Sequence, residues 1–143
     1  MEDALGAMRL DRELDPALFR AIVDQAPVSI ILADRDGVIR AWNRASEALF
    51  GFAAPEVLGQ SLDVIIPERL REAHWKGYNR SLASGETKYA GRVMTTRAVH
   101  KDGRRLYVDF SFGMLKDAAG AVVGAMAVGR DATERYLAER AGR

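Results

Sequence analysis

The stretch VSIILADRDGVIRAWN, residues 28–43, predicts two short antiparallel strands. The apolar run 28–34 and the run 38–43 are separated by Arg35-Asp36-Gly37, and an Asp-Gly pair between apolar segments is typical of a tight hairpin turn. A short helix over 45–50 follows, and Gly51 ends it. The pattern therefore predicts a hairpin with small helices after it.

The second half of the chain is predicted to be β-structure. Lys101-Asp102-Gly103 is a second turn signal, and a last strand is predicted over 122–128. Between them apolar residues recur at every second position, which places their side chains on one face: Leu106, Val108, Phe110, Phe112 and Met114. The pattern favours an α+β fold in which a curved sheet surrounds a cavity.

Proline, glycine and acidic residues predict three further helices. Asp15-Pro16 favours an N-terminal flanking helix over 14–25, and Pro67 and Gly85 bound the longest helix. Asp131 is expected to cap a C-terminal helix, with Glu134 at the capping-box offset. We divide the chain into an extension (1–13), the flanking helix (14–25), a core (26–130) and an output helix (131–143).

The amino-acid composition limits the classes of function that the protein can have. The chain has 143 residues, 48% hydrophobic and 29% charged, with a net charge of +1, so it fits one globular domain without an excess of positive charge for nucleic acid. It contains no Cys, which excludes disulfides, thiolate metal sites and a cysteinyl–flavin adduct. No apolar run approaches the roughly 18 residues that a membrane span needs. We expect a cytoplasmic protein without membrane or nucleic-acid partners.

Several motifs in order resemble the PAS superfamily of sensory and signalling domains. They are ADRDGVIRAWN (33–43), LFGF (49–52), EVLG (56–59), KDG (101–103) and GRDATER (129–135). The resemblance implies a five-stranded antiparallel sheet with several helices on one face, the longest of which forms a wall of a ligand pocket. It also implies that Asp131-Ala132-Thr133 couples the core to a signalling helix.

His74 is the main candidate for a metal ligand. It lies in the longest predicted helix on an apolar stripe with Tyr78, beside Trp75, and a neutral imidazole on a pocket wall is a suitable axial ligand for haem iron. The chain is similar to the oxygen-sensing haem PAS domains in the interval from His74 to Gly103. The resemblance therefore implies haem b as a cofactor, with gas or redox sensing as the function.

Four residues are predicted to lie on the other side of the haem. Arg92 and Met94, two apart, are expected on one face of a strand, where arginine would hydrogen-bond bound oxygen or methionine would ligate iron. Their order is exchanged relative to the direct-oxygen sensor that uses both types. Phe110 and Phe112 match the apolar lining but are large enough to fill the cavity themselves.

Two alternatives remain open. In the first, Phe110, Phe112 and Met114 fill the cavity, and the domain binds no cofactor and only dimerises. With or without a ligand, we expect a homodimer that pairs through the flanking helices, which carry Leu18, Ile22, Tyr136 and Leu137. In the second, the fold is a small isomerase that needs a buried carboxylate, and alternation places Asp109 on the outward face. No catalytic motif is present, so we expect no enzyme, and His100 is expected to be a solvated residue at a hairpin tip.

Overall fold

The computed structural model describes residues 14–142, so the predicted extension 1–13 and Arg143 lie outside the described residues. The helices are α1 (Pro16–Gln25), α2 (Arg44–Phe50), α3 (Ala54–Val57), α4 (Arg71–Ser84) and α5 (Thr133–Ala141). The strands are β1 (Ser29–Asp34), β2 (Ile39–Trp42), β3 (Met94–Val99), β4 (Arg105–Lys116) and β5 (Val122–Asp131). Two short 3₁₀ helices, Leu62–Ile65 and Glu68–Leu70, precede α4.

The strands form one antiparallel sheet in the order β2-β1-β5-β4-β3, which confirms the predicted five-stranded α+β fold. Strand β5 lies between β1 and β4, so the first hairpin and the second are joined through the last strand. The inner face of the sheet packs against the helices, and on β4 it carries Leu106, Val108 and Phe110, which are at most 4% exposed. The alternation predicted for this strand is confirmed.

The Asp-Gly turn between β1 and β2 is built by Asp34. Its carboxylate accepts hydrogen bonds from the N–H groups of Asp36 (2.9 Å) and Val38 (3.1 Å) and from the guanidinium of Arg40 (2.8 Å). The bond from Val38, with those from Arg40 and Asp36, holds the pKa of Asp34 below its ordinary value. Gly37 has φ +76°, a left-handed conformation that glycine adopts without strain.

Asn43 joins three elements through one buried side chain. Its Oδ1 accepts hydrogen bonds from the N–H of Ile30 (2.9 Å), the N–H of Ser46 (3.1 Å) and the hydroxyl of Ser46 (2.8 Å). Its Nδ2 donates to the carbonyl oxygens of Val23 (2.8 Å) and Val28 (2.9 Å). Asn43 is thus the N-cap of α2, and it also donates a hydrogen bond to a carbonyl oxygen in the last turn of α1.

His100 is not the solvated residue that its place beside a turn predicted. Its side chain is 14% exposed, and its ring lies against the backbone of Gly51, where an added Cβ would be 2.4 Å from Cε1. The N–H of Lys101 donates to the carbonyl of Phe50 (2.9 Å), which docks this end of the β3–β4 hairpin on the end of α2. Tertiary packing therefore overrides the local expectation.

The long helix after Pro67 is confirmed, with its first turn in 3₁₀ form. It ends at Gly85, which has φ +76° and donates its N–H to the carbonyl of Ser81. Only Tyr78 and Leu82 of α4 are buried. Helix α4 is thus loosely covered along much of its length.

The predicted cap of the C-terminal helix differs in detail. Asp131 is the last residue of β5, the N-cap position is Ala132, and α5 begins at Thr133. The Asp131 carboxylate nevertheless accepts hydrogen bonds from the N–H (2.9 Å) and hydroxyl (2.7 Å) of Thr133. Among residues 14–142, no helix is both long and apolar enough to cross a bilayer.

Candidate functional site

The inner face of the sheet is incompletely covered at one end. Leu106, Val108 and Phe110 of β4 are buried, but Phe112 and Met114, farther along the same face, are only half-buried. Met94, directly opposite Phe110 on β3, is half-buried too. We call Met94, Phe112 and Met114 the open inner face.

Small residues lie beside the open inner face. Ala127 of β5 is paired with Phe112 and Ala125 with Met114, and Ala125 is in turn paired with Ala33 of β1. Ala33 is 2% exposed, and Ala125, Ala127, Phe112 and Met114 are partly buried and pack against the hydrophobic core. The short side chains on β1 and β5 therefore lie beside the larger side chains of the open inner face.

Phe110 fills the neighbouring part of the interior. Its ring is stacked with that of Phe50 at 6.5 Å and lies over Gly129, where an added Cβ would be 2.5 Å from Phe110 Cδ1. Phe112 is 5.3 Å from Phe110, ring centroid to ring centroid, and 6.4 Å from Tyr89. Phe110 thus belongs to the core, whereas Phe112 borders the open inner face.

His74 lies on α4 and is half-buried, with its ring edge-on to Trp75 at 4.6 Å. Its Nδ1 is buried and has no hydrogen-bond partner within residues 14–142. Burial lowers the pKa of His74 below its ordinary value of 6.5, although the nearby Asp63 carboxylate opposes the shift. The imidazole is therefore favoured in its neutral form, the form that binds metal.

Trp75 and Tyr78 fix α4 against the first hairpin. Trp75 Nε1 donates to Asp63 Oδ1 (2.8 Å), and the indole ring lies against Gly37, where an added Cβ would be 2.2 Å from the ring. Tyr78 Oη donates to the carbonyl of Asp34 (2.6 Å), and burial raises the pKa of Tyr78 to about 12. Both polar groups are occupied, so these residues position His74 and offer a ligand only their rings.

Arg92 lies before β3 rather than within it and is exposed. Its Nη2 is 3.9 Å from Met94 Sδ, so the two residues that the sequence paired are neighbours in space. The seven predicted site residues form two groups, one on α4 (His74, Trp75, Tyr78) and one at the start of β3 and on β4 (Arg92, Met94, Phe110, Phe112).

Sequence reasoning missed Asp63 and Tyr89. Asp63 anchors Trp75, and Tyr89 packs near Phe112 in the segment between α4 and β3. Neither lies in a periodic pattern, and no local signal indicates the partner of either residue. The roles of these two residues therefore could not be predicted from the sequence.

Two surface concavities border α1 rather than the open inner face. One, of about 350 Å³, is lined by Phe19, Val23 and Trp42 among others, and the second, of about 380 Å³, includes Leu18 and Ile22. Within residues 14–142, no three His, Asp or Glu side chains are grouped to hold a metal ion. Asp109 lies on the outer face and is bonded to Arg135 and Thr95, not in a pocket as an isomerase base requires.

His74 gives a testable dependence of stability on pH. The folded protein disfavours protonation of His74, so its contribution to stability is fully present above pH 6.5 and is lost as the pH falls toward the folded pKa. We expect the free energy of unfolding, measured with urea between pH 7.5 and 5.5, to fall less steeply in His74→Gln than in the wild type. Parallel curves contradict this, and His100→Gln, tested in the same way, shows whether the effect belongs to His74.

Comparisons with known proteins agree with the fold. A family model described as PAS fold matches residues 23–137. The chain is 28% identical over 123 residues, 86% of its length, to the oxygen sensor protein DosP of Escherichia coli, of which it covers 15%. It is 26% identical over 97 residues, 68% of its length, to the sensor protein FixL of Bradyrhizobium diazoefficiens, of which it covers 19%.

The fold is similar to that of a PAS domain solved from Colwellia psychrerythraea. The TM-score is 0.71 at 23% identity, over 84% of this chain and 99% of that one. In contrast, the chain spans only 15–19% of the length of the first curated relatives that it matches. The resemblance to those relatives therefore concerns one domain of each.

Proposed function

The chain belongs to the PAS family, and from this premise we propose that it is a sensory module that binds a small ligand between α4 and the open inner face. The single observation that carries the proposal is the change of burial along β4. A face that is fully buried at Val108 becomes half-buried at Phe112 and Met114, although the side chains there are equally apolar. Apolar surface left uncovered inside a fold favours an apolar ligand.

We propose haem b as the ligand, held through His74. The residues fit the group in two respects: the imidazole is favoured in the neutral form, and its buried Nδ1 is unpaired within the described residues. The curated relatives named above include an oxygen sensor. Bound haem would supply an iron centre that responds to gas or to redox state, and no catalytic step is part of the proposal.

The remaining site residues have separate roles in this proposal. Trp75 and Tyr78 hold the helix that carries His74, because their polar atoms are tied to Asp63 and Asp34. On the other side, either Arg92 would donate a hydrogen bond to a bound gas, or Met94 would supply a thioether ligand in place of the gas. Phe112 contributes apolar contact to the ring, and Phe110 supports it from the core.

Titration with hemin tests the proposal. The purified protein is expected to bind hemin with a Soret band, and His74→Ala is expected to weaken binding by about tenfold or more, because it removes the only proposed protein ligand on one side of the iron. The chain's second histidine supplies the matched control, since His100→Ala keeps the band. A Soret band that persists unchanged in His74→Ala contradicts the role of His74, and no band at all contradicts haem.

A cofactor-free dimerisation module is the second candidate, favoured by the exposed apolar side chains of the flanking helices. Leu18 is 49% exposed and Ile22 55% on α1, and Leu137 is 52% exposed on α5. These residues would pack against a second copy of the chain. Tyr136, which the sequence assigned to the same contact, is instead stacked on Tyr107. A dimer that binds no hemin supports this candidate over the first.

A further inference from the structure

The two edges of the sheet differ in whether another segment covers them. Strand β2 forms one edge, where Ile39 donates its N–H to the carbonyl of Gln60 (2.8 Å) and accepts from the N–H of Gly59 (2.9 Å). The segment 59–61 therefore occupies the start of the β2 edge. Strand β3 forms the other edge, and within residues 14–142 it pairs in the sheet only with β4.

The outer edge of β3 carries backbone groups that no other strand of the described chain pairs. At the end of the β3–β4 hairpin, the N–H of His100 donates to the carbonyl of Arg104 (3.0 Å), and the register has no shift along the strand. Because backbone groups of an antiparallel strand alternate in direction, those of Thr95, Arg97 and Val99 point away from β4. Strand β3 contains no Pro, Lys or bulge, the features that commonly protect an edge from pairing.

The sequence of this edge fits a second copy of the same chain. Residues 93–99 read VMTTRAV, so antiparallel pairing about an axis through Thr96 places Val93 opposite Val99 at both ends. Val93 is 64% exposed immediately before β3, and the pairing covers it with another valine. The same register sets the outward backbone groups of the two copies opposite each other, where they exchange hydrogen bonds.

Arg97 favours this register over its neighbours. Its Nε is buried and has no hydrogen-bond partner within the described residues. The axis through Thr96 places Arg97 opposite Thr95 of the second copy, whose hydroxyl donates to the Asp109 carboxylate in each chain (2.6 Å). A guanidinium near a carboxylate is favourable, whereas an axis through Arg97 itself would set two guanidinium groups side by side.

We propose that β3 is a dimer interface, at which two copies of the chain pair antiparallel about Thr96 and form one continuous sheet. This surface is separate from α1, which borders Ala41 and Trp42 of β2 at the opposite edge. The inference requires no ligand and goes beyond the sensory function proposed above. Because Met94 belongs to the open inner face, the two ligand sites of such a dimer lie close to its axis.

Cysteine trapping tests the register, because the chain has no cysteine of its own. In Thr96→Cys the two thiols lie across the axis with Cα atoms about 4.5 Å apart, within the range that a disulfide spans. Oxidised glutathione accepts the two electrons and two protons of the thiols as the disulfide forms. We expect most of the oxidised protein to run as a covalent dimer on a non-reducing gel.

Thr95→Cys supplies the matched control. Thr95 is more exposed than Thr96, but in the proposed register its two copies are about 8 Å apart, too far for a disulfide. Trapping is therefore expected to be severalfold weaker in Thr95→Cys, whereas random collision would favour the more exposed position. Equal or greater trapping in Thr95→Cys, or none in Thr96→Cys, overturns the inference.

Substitution of the exposed valine tests the interface without a crosslink. Val93→Lys places a charge where Val93 meets Val99, and it is expected to raise the dimer dissociation constant about tenfold in analytical ultracentrifugation. Val123→Lys makes the same change at a valine that is 40% exposed on β5, and it is expected to leave the constant unchanged. Equal effects of the two substitutions overturn the inference. A wild-type chain that is monomeric at every concentration also overturns it, and leaves the edge to a strand of another protein.

Ile22→Lys separates this interface from a dimer formed through the flanking helices. Ile22 is 55% exposed on α1. A dimer that Val93→Lys weakens and Ile22→Lys leaves intact supports pairing through β3. The opposite response supports the flanking helices and overturns the inference. Hemin takes no part in these measurements, so failure of the haem proposal leaves the result at β3 standing.

Discussion

Replacing Asn43 with Ala is expected to lower the free energy of unfolding by about 3 kcal/mol, because several buried groups lose their partners at once. Asn43 is 2% exposed, and its carboxamide satisfies backbone groups of β1, of α2 and of the last turn of α1. Alanine fills none of these roles. Urea unfolding measures the loss.

Asn79→Ala supplies the matched control for Asn43. Asn79 is exposed on α4, so the same substitution is expected to change the free energy of unfolding by less than about 0.5 kcal/mol. A loss at Asn43 no larger than at Asn79 would mean that water replaces the lost bonds. In that case Asn43 would not join α1 to the core.

Phe50→Ala is expected to lower the free energy of unfolding by about 3–5 kcal/mol, because a buried aromatic side chain leaves a cavity that a close-packed interior fills poorly. Phe50 is 0% exposed, and its ring is 5.2 Å from that of Trp42 and 6.5 Å from that of Phe110. It packs α2 against both halves of the sheet. Thermal and urea unfolding together measure the loss.

Phe19→Ala is the control for Phe50. Phe19 is only half-buried on α1, outside the main core, and its loss is expected to cost under half as much. Equal losses would mean that α1 is as integral to the core as α2. That result would also contradict the description of α1 as a flanking helix.

The elements that were predicted best from the sequence are those whose conformation depends on residues close together in the chain. The turn at Gly37 follows from an Asp that accepts hydrogen bonds from its own loop, and the helix ends at Gly51 and Gly85 follow from positive φ. The inward face of β4 follows from alternation alone. These predictions are confirmed, because the local conformation of a turn, a helix end or a strand depends mainly on a few consecutive residues.

The candidate site was only partly accessible from sequence. The position of His74 on a long helix and its neighbour Trp75 could be predicted, but the buried, unpaired Nδ1 could not. Arg92 was expected to lie in the same strand as Met94 and on the same face, but the strand begins only at Met94. Burial and strand ends depend on what packs against a segment, which single-sequence periodicity does not report.

By itself the sequence determined the strands, the turns, the resemblance to PAS domains and the residues worth testing. Only the tertiary structure decided which distant residues are in contact. These contacts are Asn43 with the end of α1, His100 with Gly51, and the Thr95–Asp109 pair with Arg135. The physical reason is that each contact joins residues far apart in the chain. Their meeting depends on the order of the strands and the path of the helices, which the whole packed fold fixes and no local pattern contains.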